Sequence, residues 1–298
     1  MFPSSPFSSG AAGTTSAAFL KLPDGARAEA MGGAAAAGVE GSEAMFWNPA
    51  GLARLGPEAP QDVSLDYSQL LGTTYSGGAA YARPLGALGA IGASLAYFSQ
   101  SAQTAYSATG DATGNFTPND FALAAGYAHR VGIVNLGGAL KLIRSSLADV
   151  SGTTAALDFG AQALHVGDVG DGPLDAGLAF QNLGPAMKLG GAASPLPFSI
   201  AGGILWHASS FANLALDLHF PVDDDPYVSF GLEGVYAQPK WKGFLRMGYD
   251  QSHSRDVDGL SGLTAGAGLD LQKFRMDYAW VPFGDLGTTN RISLAFRF

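Results

Sequence analysis

The chain has 298 residues, no cysteine, 42 glycines and only 14% charged residues against 47% apolar ones. The charged share lies well below the usual ~25%, yet the apolar share is that of a folded protein, which excludes a disordered chain. The net charge of -9 argues against a nucleic-acid partner, which calls for a basic face, and the missing cysteines exclude disulfides and thiolate metal sites.

The chain opens on MFPSSPFSSGAAG, which has neither a charged n-region nor an apolar h-region, so no leader peptide is expected there. Residues 1–14 read as a flexible N-terminus rich in Ser, Gly and Ala. From 15 to 60 the chain carries short, small-residue helical signals. Asp24 is placed to cap a helix running to about Ala37, broken at Gly32 and Gly33. Asn48 and Pro49 mark a second helix start, Asn as cap and Pro in the first turn, ending near Gly56 and Pro57.

From 62 onward the periodicity changes to two. Strands are predicted at 62–70, 74–84, 88–98, 119–130, 132–143, 153–164, 174–181, 197–208, 211–220, 226–237, 240–250, 262–271, 273–281 and 289–298, about fourteen in all. Leu214, Leu216, Leu218 and Phe220 alternate with Ala215, Asp217 and His219; Phe274, Met276, Tyr278 and Trp280 alternate with Arg275 and Asp277. The last strand alternates in the same way and runs to Phe298, read as the closing strand of a barrel. Most segments have the ~9–11 residues that cross a bilayer at a tilt, while no apolar run reaches the ~18 of a transmembrane helix. The connections after the even-numbered predicted strands are mostly short. Those after the third, fifth, seventh, eleventh and thirteenth are longer. Two connections break the parity: LGTT is too short and HVGDVGDGP too long. Short turns on one side and long loops on the other mark an outer-membrane barrel. The expected fold is therefore all-β: a transmembrane antiparallel β-barrel of about 14 strands over 61–298, with an N-terminal, partly helical plug (15–60) inside it, lying on the turn side.

Within that register Asp66, Lys141, Asp158, Asp175, Asp217, Glu233, Lys242, Arg246, Arg275, Asp277, Arg291 and Arg297 face the lumen. Ionic groups at membrane depth must face inward and pair. Asp217, Glu233, Lys242, Arg246, Arg275, Asp277 and Arg291 are the expected charge network around the plug. Tyr67, Tyr97, Trp206, Tyr227, Trp241, Tyr249 and Trp280 fall near strand ends and read as interfacial girdles. Strand glycines such as Gly77-Gly78 and Gly202-Gly203 could kink the wall open or make room for the plug.

No catalytic constellation, cofactor motif or metal-ligand spacing appears: the five histidines are scattered, and no GxSxG elbow or phosphate loop exists. The acid runs at 223–225 and at Asp168 and Asp171 read as solvated turns, since they lack the spaced oxygens of a calcium loop.

Four stretches resemble the PorV/PorQ family of outer-membrane proteins, relatives of the FadL fatty-acid transporters: AAFLKLPDGARAEAMGGA (17–34), EAMFWNPAGLA (43–53), AFQNLGPAMKLG (179–190) and DYAWVPFGDLGTTNRISLAFRF (277–298). The resemblance implies a fourteen-stranded barrel with an N-terminal hatch, an outer-membrane location in a Gram-negative-type bacterium, and either of two non-enzymatic functions. One is binding of protein partners or exported cargo, as in type IX secretion, through the loops 99–118, 182–195 and 250–261, with Tyr106, Phe116, Met187, His253 and Asp256 as candidate contacts. The other is FadL-like passive transport of a hydrophobic ligand, which requires an apolar pocket and a gap in the wall. A purely structural envelope role is a third option. Outer-membrane lipid is the partner that every reading shares.

Overall fold

The computed structural model describes residues 2–22, 24–255 and 259–298. Its strands are β1 (Asp62–Gln69), β2 (Thr74–Pro84), β3 (Ala90–Gln100), β4 (Gln103–Tyr106), β5 (Ala112–Phe116), β6 (Asn119–Val131), β7 (Val134–Leu147), β8 (Val150–Val169), β9 (Gly172–Leu183), β10 (Met187–Leu189), β11 (Ala192–Ser194), β12 (Ser199–Ser209), β13 (Ala212–Pro221), β14 (Tyr227–Gln238), β15 (Trp241–Asp250), β16 (Leu263–Asp270), β17 (Phe274–Pro282) and β18 (Thr288–Arg297). Among the described residues fourteen of these form one closed antiparallel barrel, and β4–β5 and β10–β11 form separate two-stranded hairpins within the long loops. Closure is by β1 on β18, in register from Asp62 opposite Arg297 to Gln69 opposite Asn290. The Phe298 amide and carbonyl extend that ladder by pairing with Gln61 at 3.1 and 3.0 Å.

Period-two alternation sorts the faces. On β15 Leu245 and Met247 are 73% and 62% exposed, while Arg246 between them is 2% exposed. A soluble barrel would bury the leucines and wet the arginine. Here the apolar face points away from the protein and the ionic face points into it, the arrangement that lipid requires. No described helix is long and apolar enough to cross a membrane.

The turns resolve the two parity breaks differently. HVGDVGDGP is not a loop: β8 and β9 continue through it to the two-residue turn Gly170-Asp171, with a register shift between Ala163 and Gly167 and His165 at φ 53°. LGTT remains a short connection on the long-loop side. The expected long loop after β7 is absent, because β7 and β8 keep pairing as far as Leu147 opposite Val150. Their backbone groups are satisfied in the ladder instead of in a loop.

The N-terminal segment departs most from expectation. It does not start on the turn side. The Phe7 amide donates to the Val222 carbonyl (2.9 Å) and the Ser9 amide to Asp225 (2.9 Å), both in the β13–β14 loop at the far rim. The chain then descends through the lumen and leaves at the turn side into β1. Residues 7–14 are thus tied to the outer rim, with Ala11 buried, so no boundary falls at residue 14. Asp24 caps no helix: α1 is only Ala26–Ala30, with Gly25 at its N-cap and no side-chain cap bond. A second short helix, α2 (Ala44–Trp47), precedes a 3-10 helix, Pro49–Arg54, whose cap Asn48 accepts from the Ala50 amide.

Candidate functional site

The plug fits because the wall presents glycines where plug backbone or a large plug side chain meets it. The stretch 26–39 is mostly alanine and glycine, and the wall facing it presents glycines. A Cβ on Gly137 would strike the backbone of Pro49 and Ala50, one on Gly177 that of Ala36 and Ala37, and one on Gly231 the side chain and carbonyl of Met31. Gly32 is required twice over. Its φ of +66° suits only glycine without strain, and a Cβ would lie 2.6 Å from the Tyr249 amide. On β2, Gly78 makes room for Phe46. The wall glycines therefore seat the plug, and the β2–β3 ladder runs unbroken through Gly77 and Gly78.

Backbone groups released by the irregular plug are collected by wall side chains, as burial demands. One carboxylate oxygen of Asp217 accepts from the amides of Ala35 (2.9 Å) and Ala36 (2.8 Å). Asn48 donates to the Ala36 carbonyl (2.7 Å) and spans to the wall carbonyls of Ala161 and Leu178 (both 3.3 Å). Gln162 donates to Ala36 and Val39 (3.2 and 3.0 Å). Arg54 closes the turn-side end, bonded to Gln162, to the Ala37 carbonyl and to Asp175 at 2.7 Å.

Four of the seven expected network residues, Glu233, Arg246, Arg275 and Asp277, meet in one ionic cluster. Arg246 holds Glu233 and Asp277, both at 2.7 Å, and Arg275 holds Asp277 at 2.6 Å. Arg246 and Asp277 belong to β15 and β17, with β16 between them. They meet because Gly268 offers no side chain: a Cβ there would sit 2.8 Å from the arginine Nη1. Arg291 makes a separate pair with the plug, 3.2 Å from Glu29, and Arg27 of the plug adds to the cluster, 3.5 Å from Glu233. The other two differ. Asp217 binds plug amides instead of a cation. Lys242, though inward by parity, sits at the turn-side rim, exposed, with no carboxylate at ion-pair distance among the described residues. Sequence reasoning missed the plug's own contributions, Arg27, Glu29 and Arg54. The signal available was their presence as ionic residues in a stretch otherwise made of alanine and glycine.

The candidate loop contacts separate. Tyr106 is 67% exposed at the tip of the β4–β5 hairpin, and Phe116 is half-buried at its base. Met187 is 1% exposed: β10–β11 folds inward and seats it with Phe19, Ile143 and Leu196, because an exposed methionine there would leave the rim of the lumen unfilled. It is no free contact. His253 likewise turns inward, its ring 4.8 Å from that of Phe283. Asp256 lies outside the described residues. Tyr227 is not part of a girdle either, since it faces the lumen stacked on His219 at 4.6 Å. The acids 223–225 are occupied by the N-terminal segment and by the next loop: Asp223 binds Lys21 (2.8 Å) and Thr15, Asp225 binds Ser9, and Asp224 faces Arg255 at 3.5 Å.

Above the plug's alanine turns a cavity of about 230 Å³ remains in the outer half of the lumen. Phe19, Met45, Phe46 and Trp47 of the plug line it, as do His219 and Tyr227 of the wall. Trp47 spends its indole N–H on the Asp24 carbonyl (2.7 Å). The Asp24 carboxyl itself is pushed up to about 7, by burial first and by Glu29, against the pull of Arg291 and Lys141.

The family described as the type IX secretion system protein PorV matches residues 8–204, well over half of the chain. No curated protein matches in sequence. Among solved structures, the CymD monoaromatic hydrocarbon channel is similar with a TM-score of 0.59 and 12% identity, over 93% of this chain and 98% of that one. A Pseudomonas aeruginosa FadL homologue gives 0.54 and 10%, over 93% and 99%. Identities this low speak for a shared barrel fold and not for a shared solute.

Proposed function

Because the chain belongs to the PorV family of type IX secretion system proteins, we propose that it is a non-enzymatic outer-membrane barrel that binds a protein partner or exported cargo through its outer loops. It resides in the outer membrane of a Gram-negative-type bacterium. The observation that carries this reading is the contrast between a lumen threaded from rim to rim by the protein's own chain and outer loops that leave large apolar side chains uncovered. Tyr106, Leu260 and Leu286 are 67%, 59% and 63% exposed. Apolar groups left uncovered on loops beyond the lipid suit a protein surface, whereas a threaded lumen is a poor conduit.

The test is affinity capture of the full chain from gently solubilised membranes. The comparison is a variant in which 102–117 is replaced by a short Gly-Ser turn. The native chain is expected to recover a second envelope protein. The variant is expected to lose it while still migrating as a folded, heat-modifiable barrel. Recovery of bare monomer from both would overturn the reading.

The cavity supports a second reading, passage of a hydrophobic small molecule as in FadL-like channels. That reading also needs a lateral opening, and the ladders around the described barrel pair every neighbouring strand. Uptake of a neutral aromatic hydrocarbon into liposomes carrying the protein would favour it.

A further inference from the structure

The outer cavity has a chemistry that suits neither a hydrocarbon nor a fatty-acid anion. Six carboxylate residues line it, Asp24, Glu29, Asp217, Asp223, Asp224 and Asp250, against two lysines, Lys21 and Lys141. The cations nearby are already committed. Lys21 holds Asp223 at 2.8 Å, Lys141 holds Asp158 at 2.7 Å and Asn182 at 2.9 Å, and Arg291 holds Glu29.

Asp24 is the exception among the acids. It is 8% exposed, lines the cavity, and its carboxylate has no hydrogen bond and no cation at ion-pair distance among the described residues. A carboxylate buried without a partner is costly in a low-dielectric site. Phe46 lies beside Asp24 over Gly78, Trp47 bonds its carbonyl, and Phe19 and Tyr227 line the same cavity. Since the Trp47 N–H is spent on a carbonyl, the face of the indole is what remains to bind. Aromatic faces beside an unpartnered carboxylate are the recognition chemistry of an organic ammonium: the ring quadrupoles and the charge both attract a cation that is weakly hydrated. A bare metal ion suits the site poorly, and no cluster of three or more metal-ligating side chains exists among the described residues. The cavity is smaller than the ~300–1,000 Å³ of drug-sized sites, so the ligand is compact.

We propose that the outer lumen is a binding site for a small organic ammonium ion, with Asp24 as the counter-charge and the rings of Phe46, Trp47 and Tyr227 as its walls. The cavity lies between the plug and the barrel wall and reaches the outer rim at Asp223, Asp224, Ser252 and His253. The ligand enters from the outside and stops at Ala36 and Met45, above the ion-paired half of the lumen. It is bound and not passed through.

Calorimetry on the full chain in a maltoside detergent at pH 8, where Asp24 is ionised, tests this with three probes of one shape: choline, neutral 3,3-dimethylbutan-1-ol and anionic 3,3-dimethylbutanoate. Choline is expected to bind at least about tenfold more tightly than the neutral isostere, and the anion not at all. Asp24→Asn is expected to weaken choline about tenfold while leaving the neutral isostere unchanged. Trp47→Leu, which keeps the carboxylate, is expected to weaken choline by about tenfold as well, within the range of a desolvated cation–aromatic contact. Equal binding of choline and its neutral isostere would overturn the proposal. So would the absence of choline binding to the native chain, or native affinity in both folded variants. A variant that fails to migrate as a heat-modifiable barrel is replaced in the comparison by the other.

Discussion

The two halves of the lumen are built from the same elements and do opposite things. In the turn-side half charged and polar groups are paired across the plug and the wall and within the wall itself: Arg54 on Asp175, Asn48 on two wall carbonyls, and, within the wall, Arg246 between Glu233 and Asp277, although a second cavity of about 230 Å³ remains there beside Glu40 and Glu43. In the outer half the wall draws back, and Asp24 stands at a cavity without a partner. The lesson is that a plug need not fill a barrel to close it. The turn-side half holds the plug by ion pairs, and the outer half leaves Asp24 facing open space.

The sharpest way to break the contrast is to unpair the turn-side half. Arg246→Leu leaves Glu233 without its closest cation and Asp277 with Arg275 alone. Breaking a buried ionic group on one side costs about 3–5 kcal/mol, so urea unfolding of the reconstituted barrel should show a loss of that size. An unchanged midpoint would mean that water reaches these ion pairs.

The vestibule should respond to pH through Asp24. The Asp24 carboxyl is raised to about 7 from the ordinary ~3.9, so between those values the folded state holds a proton that the unfolded chain has released. Stability from this group therefore falls as pH rises from about 4 to 7 and is level above, by at most about 4 kcal/mol. The groups acting on it are Arg291, Lys141 and Glu29. Asp24→Asn should flatten that slope and give a barrel more stable than the native one at pH 8. A slope that persists in the variant would assign it to another acid.

A smaller effect tests how the ion pairs are assembled. Gly268→Val would place carbon between Arg246 and Asp277 and should cost about 1–3 kcal/mol, as other insertions into packed interiors do. Little or no further loss when combined with Arg246→Leu would show that both act on the same contact. The smallest effect belongs outside both halves. Tyr106→Ala, at the exposed hairpin tip, should change unfolding by no more than about 0.5 kcal/mol, and any loss of partner capture in that variant would then report recognition and not folding.

Much of this was legible in the residues. The alternation of Leu245 and Met247 with Arg246, and of Met276 and Tyr278 with Asp277, gave strand, face and lipid exposure together, since a strand has only two faces. Asn48-Pro49 announced its own turn. Tyr227 was misplaced not by this rule, which turns it inward with Ser229, but by its position near a strand end, and Lys242 points inward as read yet sits at the wet rim. Parity reports which way a side chain points but not how deep in the bilayer it sits, and near the rims an inward residue can be either sealed or wet. Met187 was misread for a related reason: a loop's length does not say whether it folds out over the membrane or in over the lumen.

By itself, then, the sequence determined the local and the periodic: strand after strand, the sorting of apolar from ionic faces, the number needed to close a cylinder, and the small residues of the plug. Tertiary structure alone decided that the first residues are pinned to the outer rim, that Arg246 reaches across Gly268 to Asp277, and that Asp24 is left facing a cavity. These are meetings between residues tens or hundreds of positions apart, and they depend on the registers of many strands at once. A single chain pattern carries the period of each strand, but the closure of the barrel sets which side chains share a height.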